Sequence, residues 1–248
     1  IESPFTLENY KRFIGFGSFG WDPLYPVIIA RSLLLAAFTM VLCLALGLPL
    51  AFWISSLPPR WKTFALTLVV IPLWCNLLVR TYAWQLLLAP EGWITKIALG
   101  LGLIGTGQSL YPSTFAVCVG LVCDYLPFLV LPLYASVEKI DRTLAEAARD
   151  LGASGPNVFR HAVLPQIVPG MAAGIMLVFV PATGQFVIPD LLGGSKTVLL
   201  GNVIQQQFGA SRDWPFGSAV ATAAMLIVLL ALWLNARIAK RKGELDYS

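Results

Sequence analysis

Glu146-Ala147-Ala148-Arg149-Asp150-Leu151-Gly152, followed by Leu164-Pro165, is a polar, charged stretch set between long apolar segments. Between Lys139 and Gly152 the apolar residues Ile140, Leu144, Ala147 or Ala148, and Leu151 recur at helical spacing. They form one stripe on a short helix. Thr143-Leu144-Ala145-Glu146 has the form of a capping box, with the Thr hydroxyl on the amide of residue 146 and Glu146 reaching back to the amide of Thr143. Gly152 suits a left-handed C-terminal cap. Ser154-Gly155-Pro156 can start a second short helix running to about Arg160. A helix this short is marginal alone and needs a surface for its stripe. The residues leave the membrane surface, the chain's own bundle and another subunit open as that surface. Ala147 and Ala148 have little bulk and permit close approach.

The flanking segments decide the fold class. Of 248 residues, 57% are hydrophobic and 12% charged, against about 25% charged in a soluble domain. Mean hydropathy is +0.76. In water such a chain would expose large apolar patches, so the reading is an integral membrane protein in contact with the lipid bilayer. The net charge of +4 is small and sits in loops, which gives no argument for nucleic acid. Cys43, Cys75, Cys118 and Cys123 lie in apolar runs without metal-ligand spacing to the single His161, and read as buried thiols with no metal role.

A transmembrane helix needs about 20 apolar residues. Five segments qualify, near 27–56, 63–89, 112–136, 163–188 and 216–237. Period-2 alternation and fixed-period repeats are absent from the sequence, so the chain reads as an all-α polytopic helix bundle, 1–248 forming a single transmembrane domain. Lys and Arg mark the cytoplasmic side. Arg60 and Lys62, then Lys139, Arg142, Arg149 and Arg160, then Arg237, Lys240, Arg241 and Lys242 fall on one side if the spans alternate. Residues 1–26, 90–111 and 189–215 fall on the other. The N-terminus then lies outside, the chain starts at Ile1, and no signal peptide is visible. A further span before Ile1 is expected in the intact product. Pro49, Pro72, Pro127, Pro132 and Pro181 sit within spans and together favour bent helices around a cavity.

The 146–152 stretch with Leu164-Pro165 resembles the "EAA" loop of ABC-importer permeases, with a Gly four residues after the last Ala and a later I-x-L-P; Ala162 stands where the family usually has Ile. Ile71-Pro72-Leu73-Trp74, Arg80-Thr81-Tyr82-Ala83-Trp84, Leu126-Pro127-Phe128, Phe186-Val187-Ile188-Pro189-Asp190-Leu191-Leu192-Gly193-Gly194 and Arg212-Asp213-Trp214-Pro215 extend the resemblance to the spermidine/putrescine permease subunits. The similarity runs over nearly all of residues 5–240. It implies a type I ABC importer permease core in the bacterial inner membrane. It also implies a homologous second permease, a separate ABC ATPase dimer that holds the ATP and Mg, and a periplasmic solute-binding protein. The 138–160 loop would then be the coupling socket, with Glu146, Ala147, Ala148, Leu151, Gly152 and Leu144 facing the ATPase. The chain would bind no cofactor and hydrolyse nothing. Arg212 and Asp213 would face the binding protein or the outer gate.

Ionisable residues inside spans usually mark a pathway. Asp124 lies midway along 112–136 beside Tyr125 and suits a cationic solute, with Trp74, Trp84 and Tyr125 offering cation–π contacts. A structural ion pair is the alternative. Gln185, with Thr183 and Gly184, is a polar break in an apolar span. In polyamine-type relatives the residue before Phe186 is often acidic, so Gln185 removes one charge from the pathway. The alternatives are a permease for another amine or small organic solute, or a secondary transporter, whose internal repeats are not found. Gly100-Leu101-Gly102-Leu103-Ile104-Gly105 fits GxGxxG by letter but follows no strand, and no Walker A, HExxH or GxSxG motif occurs.

Overall fold

The computed structural model describes residues 7–17, 20–105, 108–194 and 197–245. The start of the chain, on which the expectation of a preceding span bears, lies outside them. Helix α1 is Glu8–Ile14, and a two-residue antiparallel pair follows, β1 (Phe16–Gly17) with β2 (Gly20–Trp21). Then come α2 (Leu24–Ser56), α3 (Pro59–Trp74), α4 (Leu77–Leu88), α5 (Trp93–Gly100), α6 (Thr114–Val137), α7 (Arg142–Asp150), α8 (Gly155–Val158), α9 (Leu164–Gly184), α10 (Leu200–Phe208) and α11 (Trp214–Leu245). The protein is an all-α polytopic bundle apart from that small pair.

Among the described residues four stretches are long and apolar enough to cross a membrane singly: α2, α6, Gly155–Gly184 and Trp214–Trp233. The segment read as one span over 63–89 is two helices, α3 and α4; Pro59–Trp74 and Leu77–Gly100 pass the same test only together, as a broken span or a re-entrant loop. The break falls at Cys75-Asn76. Asn76 is extended (φ −58°, ψ 137°), and its side chain accepts a hydrogen bond from the Leu78 amide at 2.8 Å. An Asn that caps a new helix cannot continue the old one. The prolines inside α2, α3 and α6 leave those helices unbroken by comparison. Cys75 at the break is exposed and Cys123 is half-buried, so only Cys43 and Cys118 are the buried thiols expected of all four.

Two further departures concern the loops. The outer segment 90–111 contains α5, whose buried Thr95 donates its hydroxyl to the Leu88 carbonyl at 2.8 Å. The second helix predicted from Ser154 does not stop near Arg160. It runs through a π-turn at Phe159–Val163 directly into α9.

The chain divides into two compact units. One holds residues 1–39, 75–122 and 180–230; the other holds 40–74, 123–179 and 231–248. All three basic segments expected on the cytoplasmic side fall in the second unit, and the three outer segments fall in the first. In the first unit Phe13, Ile28, Leu200, Val203, Phe216 and Val220 form a buried cluster. In the second, Ile54 of α2, Ala65 of α3 and Val130 of α6 do the same.

Small residues set the second unit's helix packing. Gly170 and Gly174 lie one turn apart on α9, where a Cβ would strike Ser136 and the Pro132 carbonyl at the first position and lie 3.1 Å from the Leu129 carbonyl at the second. Within a bilayer, helices associate through such close van der Waals approach, because lipid is as apolar as leucine. α6 is the most buried span, with 67% of its apolar window inside the fold against 22–28% for the other three.

Candidate functional site

The polar loop after α6 is built from two caps and two anchors. Asp141, not Thr143, begins α7. Its carboxylate accepts from the Thr143 amide at 2.9 Å and from the Thr143 hydroxyl at 2.7 Å. The predicted capping box on Thr143 and Glu146 is therefore corrected. An anionic carboxylate at the helix start satisfies a free amide and complements the helix dipole, and it also takes up the hydroxyl that would otherwise cap. The hydroxyl bond, followed by the amide bond, holds the Asp141 carboxyl below the usual carboxylate range.

At the other end Gly152 is left-handed (φ +82°), as its place in the sequence suggested. Its amide donates to the Arg149 carbonyl, and the Ala153 amide donates to the Ala148 carbonyl at 3.0 Å. That double bond is the Schellman ending.

The anchors were not legible in the sequence. Lys62 at the start of α3 donates to Glu138 at 2.6 Å. Glu138 also accepts from Ser55 and Tyr134, and these donors, Lys62 first, hold its carboxyl below its ordinary range. Gln166 of α9 accepts from the Asp141 amide at 2.8 Å and donates to the Ala162 carbonyl at 2.7 Å. Position 162 thus contributes its backbone to the loop's support. Phe159 of the π-turn packs near Phe52 of α2, ring centroids 6.2 Å apart, and Val158 is buried.

Between these anchors α7 buries nothing. Leu144 is 53% exposed and Leu151 89% exposed. Glu146, Ala147 and Gly152 are exposed and Ala148 is half-buried. The helix is held firmly at both ends and presents an open apolar stripe.

The expected pathway residues are distributed over both units. Asp124 and Tyr125 are buried on α6, each 6% exposed, with the Tyr125 ring 6.4 Å from that of Phe128. Trp74 ends α3 and is 80% exposed, so it does not share their burial. Trp84 on α4 and Gln185 after α9 are half-buried in the other unit. The Gln185 side-chain oxygen accepts from the Phe186 and Val187 amides at 3.1 and 3.2 Å, turning the chain after α9.

Outside the spans, Asp213 pairs with Arg12 at 2.9 Å and accepts from the Phe216 amide at 3.3 Å. The Arg12 guanidinium lies over the buried Phe216 ring at 4.2 Å, and Tyr25 meets that ring edge-on at 5.0 Å. Asp213 is thus tied into the start of α11. Arg212 is exposed with a left-handed backbone (φ +52°). α10 is fastened by Ser32, which donates to the Ile28 carbonyl and accepts from the Leu200 amide, both at 2.8 Å.

The described residues thus form a bundle of apolar helices with an exposed amphipathic helix, α7, on a polar loop. Among the described residues no group of three or more His, Cys, Asp or Glu could hold a metal. Residues 44–244 match the family described as binding-protein-dependent transport system inner membrane component, and the chain belongs to that family. It is a multi-pass permease subunit of an ABC importer in the bacterial inner membrane, a transport subunit rather than an enzyme.

The chain is 41% identical over 249 residues to the spermidine/putrescine transport system permease protein PotB of Escherichia coli (strain K12), covering 99% of this chain and 88% of that protein. It is 39% identical over 246 residues to PotB of Haemophilus influenzae, covering 98% and 84%. It is 32% identical over 254 residues to the inner membrane ABC transporter permease protein YdcU of Escherichia coli, covering 97% and 77%. Among solved structures it resembles a bacterial ABC transporter involved in the import of alginate, with a TM-score of 0.76 at 15% identity over 97% of this chain and 85% of that one. The inward-facing methionine transporter MetNI gives 0.63 at 17% identity over 89% and 98%. These two likenesses speak for the fold alone.

Proposed function

We propose that this chain is one of the two permease subunits of a polyamine importer. It pairs with a homologous permease, receives putrescine or spermidine from a periplasmic binding protein, and is driven by an ABC ATPase dimer that docks on α7. Residues 1–248 act as a single permease domain in this reading. The observation that carries it is the open apolar stripe of Leu144, Ala147 and Leu151 on a helix capped and anchored at both ends. A helix that buries nothing in its own chain, yet is held in place by Asp141, Gly152, Gln166 and Glu138, is preorganised for another protein's groove. Glu146 lies on the same exposed helix.

Likeness to the PotB proteins supports the solute class, and a buried carboxylate at Asp124 fits a cation better than an anion or a sugar. Tyr125, Trp84, Trp74 and Gln185 are the further pathway residues of the proposal, and Arg212 and Asp213 are its contacts for the binding protein. The test is uptake of labelled putrescine and spermidine by proteoliposomes holding the full complex, with binding protein and ATP. ATP-dependent uptake of either supports the reading. ATPase stimulation by the binding protein without uptake of either keeps the importer and removes the polyamine.

A further inference from the structure

The turn after α9 and the helix α10 line an open cavity of about 330 Å³ that lies wholly within one unit. Asp190, Thr197, Gln205 and Gln206 line it, with Asn202 and Gly194 completing its wall. Asp190 is exposed on the π-turn Pro189–Gly193.

Asn202 is spent on structure. Its oxygen accepts from the Leu199 amide at 3.2 Å, and its nitrogen donates to the Phe186 carbonyl at 3.0 Å, which fixes α10 against the turn. Thr197 is not spent. It is 4% exposed, and its hydroxyl oxygen is buried without a hydrogen-bond partner among the described residues. A Cβ at Gly193 would collide with that hydroxyl, so the glycine leaves the room it occupies. A buried hydroxyl left unsatisfied costs free energy unless something supplies the missing partner.

The described lining therefore combines one carboxylate, an unsatisfied hydroxyl and two primary-amide side chains, with no lysine or arginine among the described residues that line it. A primary ammonium brings three N–H donors and no acceptor. It is the group whose donors match a carboxylate, a hydroxyl oxygen and an amide oxygen together. Gln185, five residues earlier, has its oxygen committed to two backbone amides, which leaves Asp190 as the carboxylate of this turn.

We infer that the cavity between the Pro189–Gly193 turn and α10 is a transit site for the primary ammonium end of the transported amine, with Asp190 as its counter-charge and Thr197 as a neutral acceptor. This rests on the reading of the chain as a polyamine permease and adds a place where the solute is held in passage.

The experiment uses the reconstituted full importer with its binding protein, ATP and labelled putrescine, measuring solute delivered and ATP hydrolysed together. In Asp190→Asn, putrescine delivered per ATP should fall about tenfold, the equivalent of one lost charge-assisted hydrogen bond. ATPase stimulation by the binding protein should stay near wild type, and Asp190→Glu should restore most of the delivery. Thr197→Val, which keeps shape and removes the hydroxyl, should lower the same ratio about threefold. An unchanged ratio in Asp190→Asn overturns the inference. If that variant fails to assemble, an unchanged ratio in Thr197→Val overturns it instead. A wild-type importer that takes up neither putrescine nor spermidine removes the polyamine reading itself, and the site with it.

Discussion

α7 and α10 are both nine-residue helices outside the spans, yet they dispose of their apolar residues in opposite ways. α10 buries Leu200 and Val203 in the cluster around Phe216 and Gly201 against the Gly184 carbonyl, and Ser32 of α2 takes its first amide. α7 buries none of its residues. Each has an apolar face at helical spacing, so amphipathicity alone does not say whether the partner is the same chain or another. The supports differ as well. α10 is held at its start by packing together with polar bonds from Ser32 and Asn202, whereas α7 has no buried residue and is fixed chiefly by polar bonds at its ends. A helix fixed at its ends and free along its face can be gripped and moved as a body, which is what coupling to an ATPase requires.

The contrast breaks first at Gly201. A Cβ there would strike the Gly184 carbonyl and lie 3.0 Å from that of Gln185. Gly201→Val should therefore destabilise the fold by about 3 kcal/mol or more, since neither backbone carbonyl can yield as a side chain would. Thermal unfolding of the purified subunit in detergent reads this, and a melting temperature within a degree of wild type would mean that α10 is not packed as described.

Next in size, Leu151→Asp should abolish retention of the ATPase through a wash that the wild-type complex survives. Truncating or charging a central interface anchor costs about 2 kcal/mol or more. The subunit's own stability should change by less than about 0.5 kcal/mol, because the side chain is 89% exposed. Loss of thermal stability with ATPase binding intact would reverse the assignment and make the stripe an internal contact.

Gly152→Ala gives a smaller change. The site has open space around it, so only its φ of +82° opposes a side chain. About 1 kcal/mol of local stability should be lost at the end of α7, seen as faster amide exchange at Leu151–Ala153.

The sequence carried the bundle because spans are long-wavelength features that survive an error of several residues. It carried α7 because its apolar residues repeat at helical period. It lost the break at Cys75-Asn76, since hydropathy averaged over some twenty residues does not register one capping side chain. It placed the α7 cap at Thr143 because Asp141 and Thr143 are both good N-caps; the carboxylate accepts from Thr143's amide and hydroxyl together. The anchors Lys62–Glu138 and Ser32–Leu200 join residues 76 and 168 positions apart, and no local pattern announces either. Asp213, still partly exposed, is also bound by Arg12 from the other end of the chain. Charges in loops read as solvent-facing until tertiary contact supplies a partner.

The smallest effect concerns how α7 is held. Asp141 and Glu138 both titrate below their ordinary range, the first through Thr143 and the second through Lys62. A carboxyl whose folded pKa is depressed contributes fully above its unfolded pKa, near 4, and loses that contribution as pH falls through the folded value. The protection factors of the 142–150 amides, corrected for intrinsic exchange, should therefore be flat from pH 8 to pH 5. They should fall only in more acidic solution. Asp141→Asn keeps an acceptor for the Thr143 amide and removes the charge, so it should lower protection slightly at pH 7 and flatten the acid fall. Lys62→Ala should leave α7 itself protected and loosen only the turn before it, because Glu138 precedes the helix and still has Ser55 and Tyr134 as donors. A fall between pH 5 and pH 7 in the wild type would show that neither carboxylate governs the loop.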